Sequence, residues 1–293
     1  MPTNPQEILK RIRKIEIKTH NLVQEVFSGE YHSLFKGQGL EFSEVREYQM
    51  GDSYRDIDWN VSARFGHPYI KKFRETRELN VLFIVDLSAS NQFGTHGQIK
   101  ANFIAEITAV LSFSALSNQD KVGLLLFTDR VEKYLNPRKG RKYTLQILRE
   151  ILYHEPIGRQ TDLAGALSYT SRLLKKRSII FIVSDFLTHN YQKQLNLLSQ
   201  KHDVIVLQII DPAERQLPPA GPLRLFDPET GKTAVFNLTD KDLRQQYDEY
   251  LQMEQSQLKK KLSQAGIDHL LLRTDEPYYQ ELQRFFELRM HRR

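Results

Sequence analysis

From Leu79 onward, short apolar runs alternate with segments of helical period, and this alternation constrains the fold more than any other feature of the chain. The runs at 79–85, 121–127, 178–184, 204–210 and 267–273 have strand length and are rich in Val, Ile, Leu and Phe. Helical patterns lie near 98–117, 141–153, 162–175, 189–201, 240–264 and 277–290. In the first of these, Ile99, Phe103, Ile107, Val110 and Leu111 share one face. Strands that are apolar throughout and joined through helices belong in a parallel sheet covered on both faces. Val131 to Leu135 follows the turn at Thr128-Asp129 and reads as a returning antiparallel edge. The expected fold is α/β, with a doubly wound, mostly parallel sheet over 76–293.

Residues 1–75 read as an N-terminal appendage. Ile8 to Phe27 has the spacing of an amphipathic helix, and 31–75 reads as short strands and loops. A second interruption falls at 212–239, where Pro212, Pro218, Pro219, Gly221 and Pro222 punctuate the chain. Phe226 to Thr233 then reads as the tip of a hairpin.

The first apolar strand runs into Asp86-Leu87-Ser88-Ala89-Ser90. On an extended segment alternate side chains point the same way, so Asp86, Ser88 and Ser90 can converge at the strand's carboxyl end. Open α/β sheets place their ligands there. One acid and two hydroxyls make an all-oxygen donor set, which suits a hard cation such as Mg²⁺. Each position also has a plainer use. Ser88 and Ser90 fit turn positions, Thr161 fits a helix N-cap, and Asp185 fits a cap for the helix after it.

The pattern D-x-S-x-S resembles the first segment of the metal-ion-dependent adhesion site of von Willebrand factor A domains. That family draws a threonine from a second loop and an aspartate from a third. Thr161, in Gly158-Arg159-Gln160-Thr161-Asp162, and Asp185, in Ile182-Val183-Ser184-Asp185-Phe186, stand in the matching order. The resemblance implies a cation, Mg²⁺ or else Mn²⁺ or Ca²⁺, touched by Ser88, Ser90 and Thr161. Asp86 and Asp185 would act through bound water. One position stays open for an acidic side chain of a partner.

Upstream stand Arg46-Glu47-Tyr48, Gly51-Asp52, Arg55, Ile57-Asp58-Trp59 and Ala63-Arg64. This order resembles the hallmark of the bacterial domain of unknown function 58 family, which precedes the von Willebrand A strand. The resemblance implies a non-catalytic partner of a MoxR-type AAA+ ATPase or of its client, in assembly or maturation of other proteins. For the hallmark itself the plain reading is structural: arginines paired with Glu47, Asp52 and Asp58, and Trp59 as packing.

Several other chemistries are disfavoured or excluded. The chain has no cysteine, which removes disulfides, thiolate metal sites and a cysteine nucleophile. Gly231-Lys232-Thr233 lacks the earlier glycine of a P-loop, since Phe226 stands there. A Mg²⁺-dependent hydrolase or phosphotransferase would need a further base, and Asp162 is the nearest candidate. Asp52, Asp56 and Asp58 form an acidic cluster with Arg55 among them, which favours ion pairing over cation binding. The net charge of +6 is modest, and no interleaved aromatic-basic stripe points to nucleic acid. Arg138, Lys139, Arg141 and Lys142 read as a solvated face. With no apolar run near the ~18 residues that cross a bilayer, and no secretory signal, a cytoplasmic protein is expected.

Overall fold

In a computed structural model, the described residues are 10, 12–17, 41–54, 57–74, 78–92, 94, 99–215 and 217–291. The expected N-terminal helix is described only at 10 and 12–17, which are helical; the rest of it lies outside these residues, as do Arg55 and Asp56. By contact the chain divides into two units, Phe35–Leu79 and the combination of Met1–Leu34 with Asn80–Arg293.

The small unit pairs β1 (Glu41–Glu47) with β2 (Tyr69–Arg74) antiparallel, with an irregularity between Phe42 and Glu44. Between them lies a short helix, α1 (Trp59–Phe65), where loops were expected. Asp58 starts it: its carboxylate accepts the backbone N–H of Asn60 and Val61. Gly66 ends it in the left-handed conformation at φ 74°, which a glycine adopts without strain. Arg46 and Asp52 form a two-pronged pair, with both N–O distances 2.8 Å. Of the acidic cluster, then, Asp52 pairs with an arginine and Asp58 caps a helix. Trp59 is 69% exposed.

The large unit runs β3 (Asn80–Asp86), α2 (Lys100–Ser117), β4 (Lys121–Phe127), β5 (Val131–Arg138), α3 (Arg141–Tyr153) and α4 (Leu163–Leu173). It continues with β6 (Ile179–Ser184), α5 (Gln192–Lys201), β7 (Asp203–Ile210), and the hairpin β8 (Pro222–Phe226) and β9 (Thr233–Asn237). It closes with α6 (Lys241–Gln264), β10 (Asp268–Arg273) and α7 (Tyr278–His291). The six-stranded sheet has the order β10-β7-β6-β3-β4-β5, parallel except for β5. This is the doubly wound α/β fold expected from the alternation.

Central strands are buried on both faces, which explains their unbroken apolar sequence: Val81 to Val85 are all 0% exposed. Phe83 stacks on Phe181 of the neighbouring strand with ring centroids 5.2 Å apart. Helix α2 is buried nearly all round rather than on one face, because the sheet, α3 and Tyr278 of α7 all pack on it. Ile99 falls just outside that helix and is exposed. Strand β5 runs on to Arg138 through Pro137, which an edge strand tolerates because one row of its N–H groups has no ladder partner to lose.

The chain winds from β3 outward to β4 and β5, then returns past β3 to lay down β6 on its other side. The reversal makes the carboxyl ends of β3 and β6 the topological switch point, where such sheets open a crevice. At the amino edge, the buried guanidinium of Arg289 joins α7 to Asp203 and Asp268, the first residues of β7 and β10. Among the described residues, no helix is long and apolar enough to cross a membrane.

Candidate functional site at the carboxyl edge of the sheet

Asp86 ends β3 fully buried. The chain does not stay extended after it. One carboxylate oxygen accepts the N–H of Ser88 at 2.8 Å, a local turn, and Ala89–Gln92 then forms a single 3-10 turn. The three side chains meet because the backbone curls, not because it alternates. The Ser88 and Ser90 hydroxyls lie 3.0 Å apart, and Asn91 donates its side-chain amide to the Asp86 carbonyl. The other Asp86 oxygen accepts the Ser184 hydroxyl, at 2.8 Å, from the end of β6. The donors to this carboxylate, the Ser88 N–H and hydroxyl and the Ser184 hydroxyl, are all neutral.

Thr161 comes from the loop between α3 and α4. The helix that follows is capped by Asp162, whose carboxylate accepts the N–H of Gly165 at 2.8 Å. Thr161 is therefore not the cap, and Asp162 is engaged as one. Backbone bonds fasten this loop to its neighbours: Ala89 N–H to the Arg159 carbonyl at 3.0 Å, and Asp162 N–H to the Thr128 carbonyl at 2.8 Å. The Glu132 carboxylate gathers the Thr128 hydroxyl and the N–H groups of Ile157 and Gly158. Burial works against the Glu132 charge, but these donors hold its pKa below the ordinary value. The Thr161 hydroxyl donates to the Glu229 carboxylate at 3.1 Å. Glu229 comes from the β8–β9 hairpin and also lies against the Ser88 hydroxyl.

Asp185 follows β6 and is 3% exposed. It caps no helix, because α5 begins only at Gln192 after Tyr191. One of its oxygens accepts Leu187 N–H at 3.1 Å, and the other meets the Lys100 ammonium at 3.1 Å. Lys100 is fully buried and also reaches Glu214 at 2.6 Å. Burial penalises this ammonium, yet Asp185 and Glu214 together hold its pKa above the usual lysine value. Phe186, next in the chain, has φ 60°, a left-handed backbone that a bulky residue rarely adopts. Its ring is buried, edge-on to Tyr191 at 5.8 Å between centroids. The Thr188 hydroxyl lies 3.4 Å from the Thr161 carbonyl and bridges the second and third loops.

The structure thus draws Asp86, Ser88 and Ser90 into one hydrogen-bonded group, with Thr161 joined to it through Glu229. Asp185 lies near enough that its charge, after burial itself, raises the Asp86 pKa to about 7. Sequence reasoning missed Lys100, Ser184, Glu214 and Glu229. Among the described residues, no group of three or more His, Cys, Asp or Glu side chains is arranged to hold a metal ion. Any cation held here would depend on hydroxyl oxygens as well as acids.

Comparison with known proteins bears on the family. The family described as "Protein of unknown function DUF58" matches residues 44–257. An uncharacterized protein of Mycobacterium tuberculosis is 30% identical over 277 residues, which is 94% of this chain and 87% of the relative. Among solved structures, the conserved hypothetical protein BatB from Bacteroides thetaiotaomicron has a TM-score of 0.46 at 15% identity, covering 73% of this chain and 100% of that one. The SpRpn10 VWA domain has a TM-score of 0.42 at 12% identity, covering 70% and 94% respectively.

Proposed function

The chain belongs to the family of proteins of unknown function DUF58, and on that premise we propose that it is a protein-interaction module whose carboxyl-edge site holds a divalent cation and recognises an acidic side chain of a partner. The observation that carries this reading is the buried carboxylate of Asp86 at the switch point, beside a second carboxylate and beneath the hydroxyls of Ser88 and Ser90. Burying a carboxylate with only neutral donors is costly. The buried Lys100 ammonium nearby already serves Asp185 and Glu214. A divalent cation would relieve the charge that remains.

The donors are all oxygen and mostly uncharged, which fits Mg²⁺. Ser88, Ser90 and Thr161 would hold it by their hydroxyls, and Asp86 and Asp185 would hold its water. When bound, the ion supplies an electron-poor position that takes a carboxylate oxygen. The protein's own residues position that point, exclude bulk water at Asp86, and anchor the three loops to one another. Asp162, the candidate base for a hydrolase, serves as a helix cap. Family resemblance supports a MoxR-type AAA+ ATPase or one of its clients as the partner.

Calorimetric titration of Mg²⁺ into the wild-type chain and Asp86→Ala tests the reading. The wild type is expected to bind and the variant not to, with unchanged circular dichroism. Capture of the ATPase should require Mg²⁺ and fail with the variant. Equal Mg²⁺ binding by both proteins would overturn the proposal.

A further inference from the structure

The β8–β9 hairpin has a construction that its own stability does not explain. Among the described residues, its strands pair only with each other. Leu223, Phe226, Val235 and Phe236 are 37%, 61%, 62% and 39% exposed, so the strands bury little. An isolated two-stranded hairpin of this kind is marginally stable in water. Its base is nevertheless pinned, with Leu238 fully buried and its N–H directed at the Gly221 carbonyl at 3.3 Å.

The tip, by contrast, is closely specified. Asp227 accepts the N–H groups of Glu229 and Thr230 through one carboxylate oxygen and the Thr230 hydroxyl through the other. Its carbonyl accepts Gly231 N–H at 2.9 Å, and its own N–H reaches the Lys232 carbonyl at 2.9 Å. Gly231 closes the turn at φ 72°. This turn aims Glu229 at Thr161 and Ser88, two of the three hydroxyls assigned to the cation.

We infer that Glu229 is the chain's own carboxylate ligand for the cation position, and that a partner's acidic side chain gains the site by displacing the hairpin. The inference rests on the cation reading above. A glutamine at 229 could accept the same hydrogen bond from Thr161. A carboxylate there also offers a charged oxygen, the donor a hard cation takes, beside the Thr161 hydroxyl. The weakly held strands and pinned base suit an element that swings away as a unit. The occupant that replaces Glu229 is accordingly an Asp or Glu side chain presented on a protein surface.

Hydrogen exchange of the amides of Asp227 and of residues 229–232 in the full chain tests this, with wild type and Glu229→Gln each measured with and without Mg²⁺. Mg²⁺ titrations by calorimetry accompany both proteins. Mg²⁺ should slow exchange at the wild-type tip about tenfold, the equivalent of about 1.4 kcal/mol. Glu229→Gln should still bind Mg²⁺, about tenfold more weakly, and show no added protection. Mg²⁺ binding by the wild type without tip protection, or equal protection in Glu229→Gln, overturns the inference while leaving the cation site standing. Absence of Mg²⁺ binding in both proteins overturns the cation reading and this inference with it.

Discussion

Asp86 is an acid kept out of bulk water, and its titration follows from that. Burial, then the charge of Asp185, push its pKa up to about 7. The folded chain therefore keeps this proton to a higher pH than the unfolded chain does. The contribution to stability is complete at low pH and is lost as pH rises from about 4 through 7, a loss on the order of 4 kcal/mol. Urea unfolding of metal-free protein at pH 5 and pH 8 should show Asp86→Asn losing less stability than the wild type over that span. His269 slopes the other way, since burial pushes it down to about 4, but it does so equally in both proteins. Asp86 was legible because it ends an apolar strand. Lys100 was not, because a lysine at the start of a helix ordinarily reads as solvated, and only the fold brings it to Asp185. Glu229 lies 68 residues from the threonine that donates to it, and no local pattern joins them.

Elements position these groups through short loops that cannot be exchanged freely. A Cβ on Gly158 would lie 2.1 Å from an Asp129 oxygen and 2.2 Å from the Thr128 hydroxyl. That hydroxyl is itself bound to Glu132, which also holds the Gly158 N–H. Gly158→Ala should cost about 1–3 kcal/mol by overpacking, seen as a lowered unfolding midpoint, and should weaken Mg²⁺ binding by shifting Thr161. The strands of the main sheet were legible from composition and length. The helix at Trp59–Phe65 was not: it is only seven residues long and buries no residue, so no apolar period marks it. Its sequence signal is Asp58 ahead of the first turn, whose carboxylate caps it.

At the scale of the large unit, the sheet has a structural edge and a chemical edge. The amino edge is tied by Arg289, 3% exposed, between Asp203 and Asp268. Arg289→Met would take the guanidinium away from two partly buried acids and should destabilise the protein by about 2–4 kcal/mol. Mg²⁺ titration at a temperature where the variant stays folded should be unchanged, because the loops proposed to hold the ion leave the opposite edge. The doubly wound topology was readable because the strands are apolar on both faces. The way the loops meet was not, because it depends on backbone bonds between segments distant in sequence, such as Ala89 to Arg159. The left-handed backbone at Phe186 ties this edge to the interior. Its ring belongs to the cluster that contains Leu163, Ile182, Tyr191 and Leu195. The unfavourable φ of about 1–2 kcal/mol is offset by that packing, so the loop bearing Asp185 is set when the core closes. A partner docking there, as proposed, would meet a preorganised surface, the entropy of ordering that loop having been lost during folding rather than subtracted from the affinity.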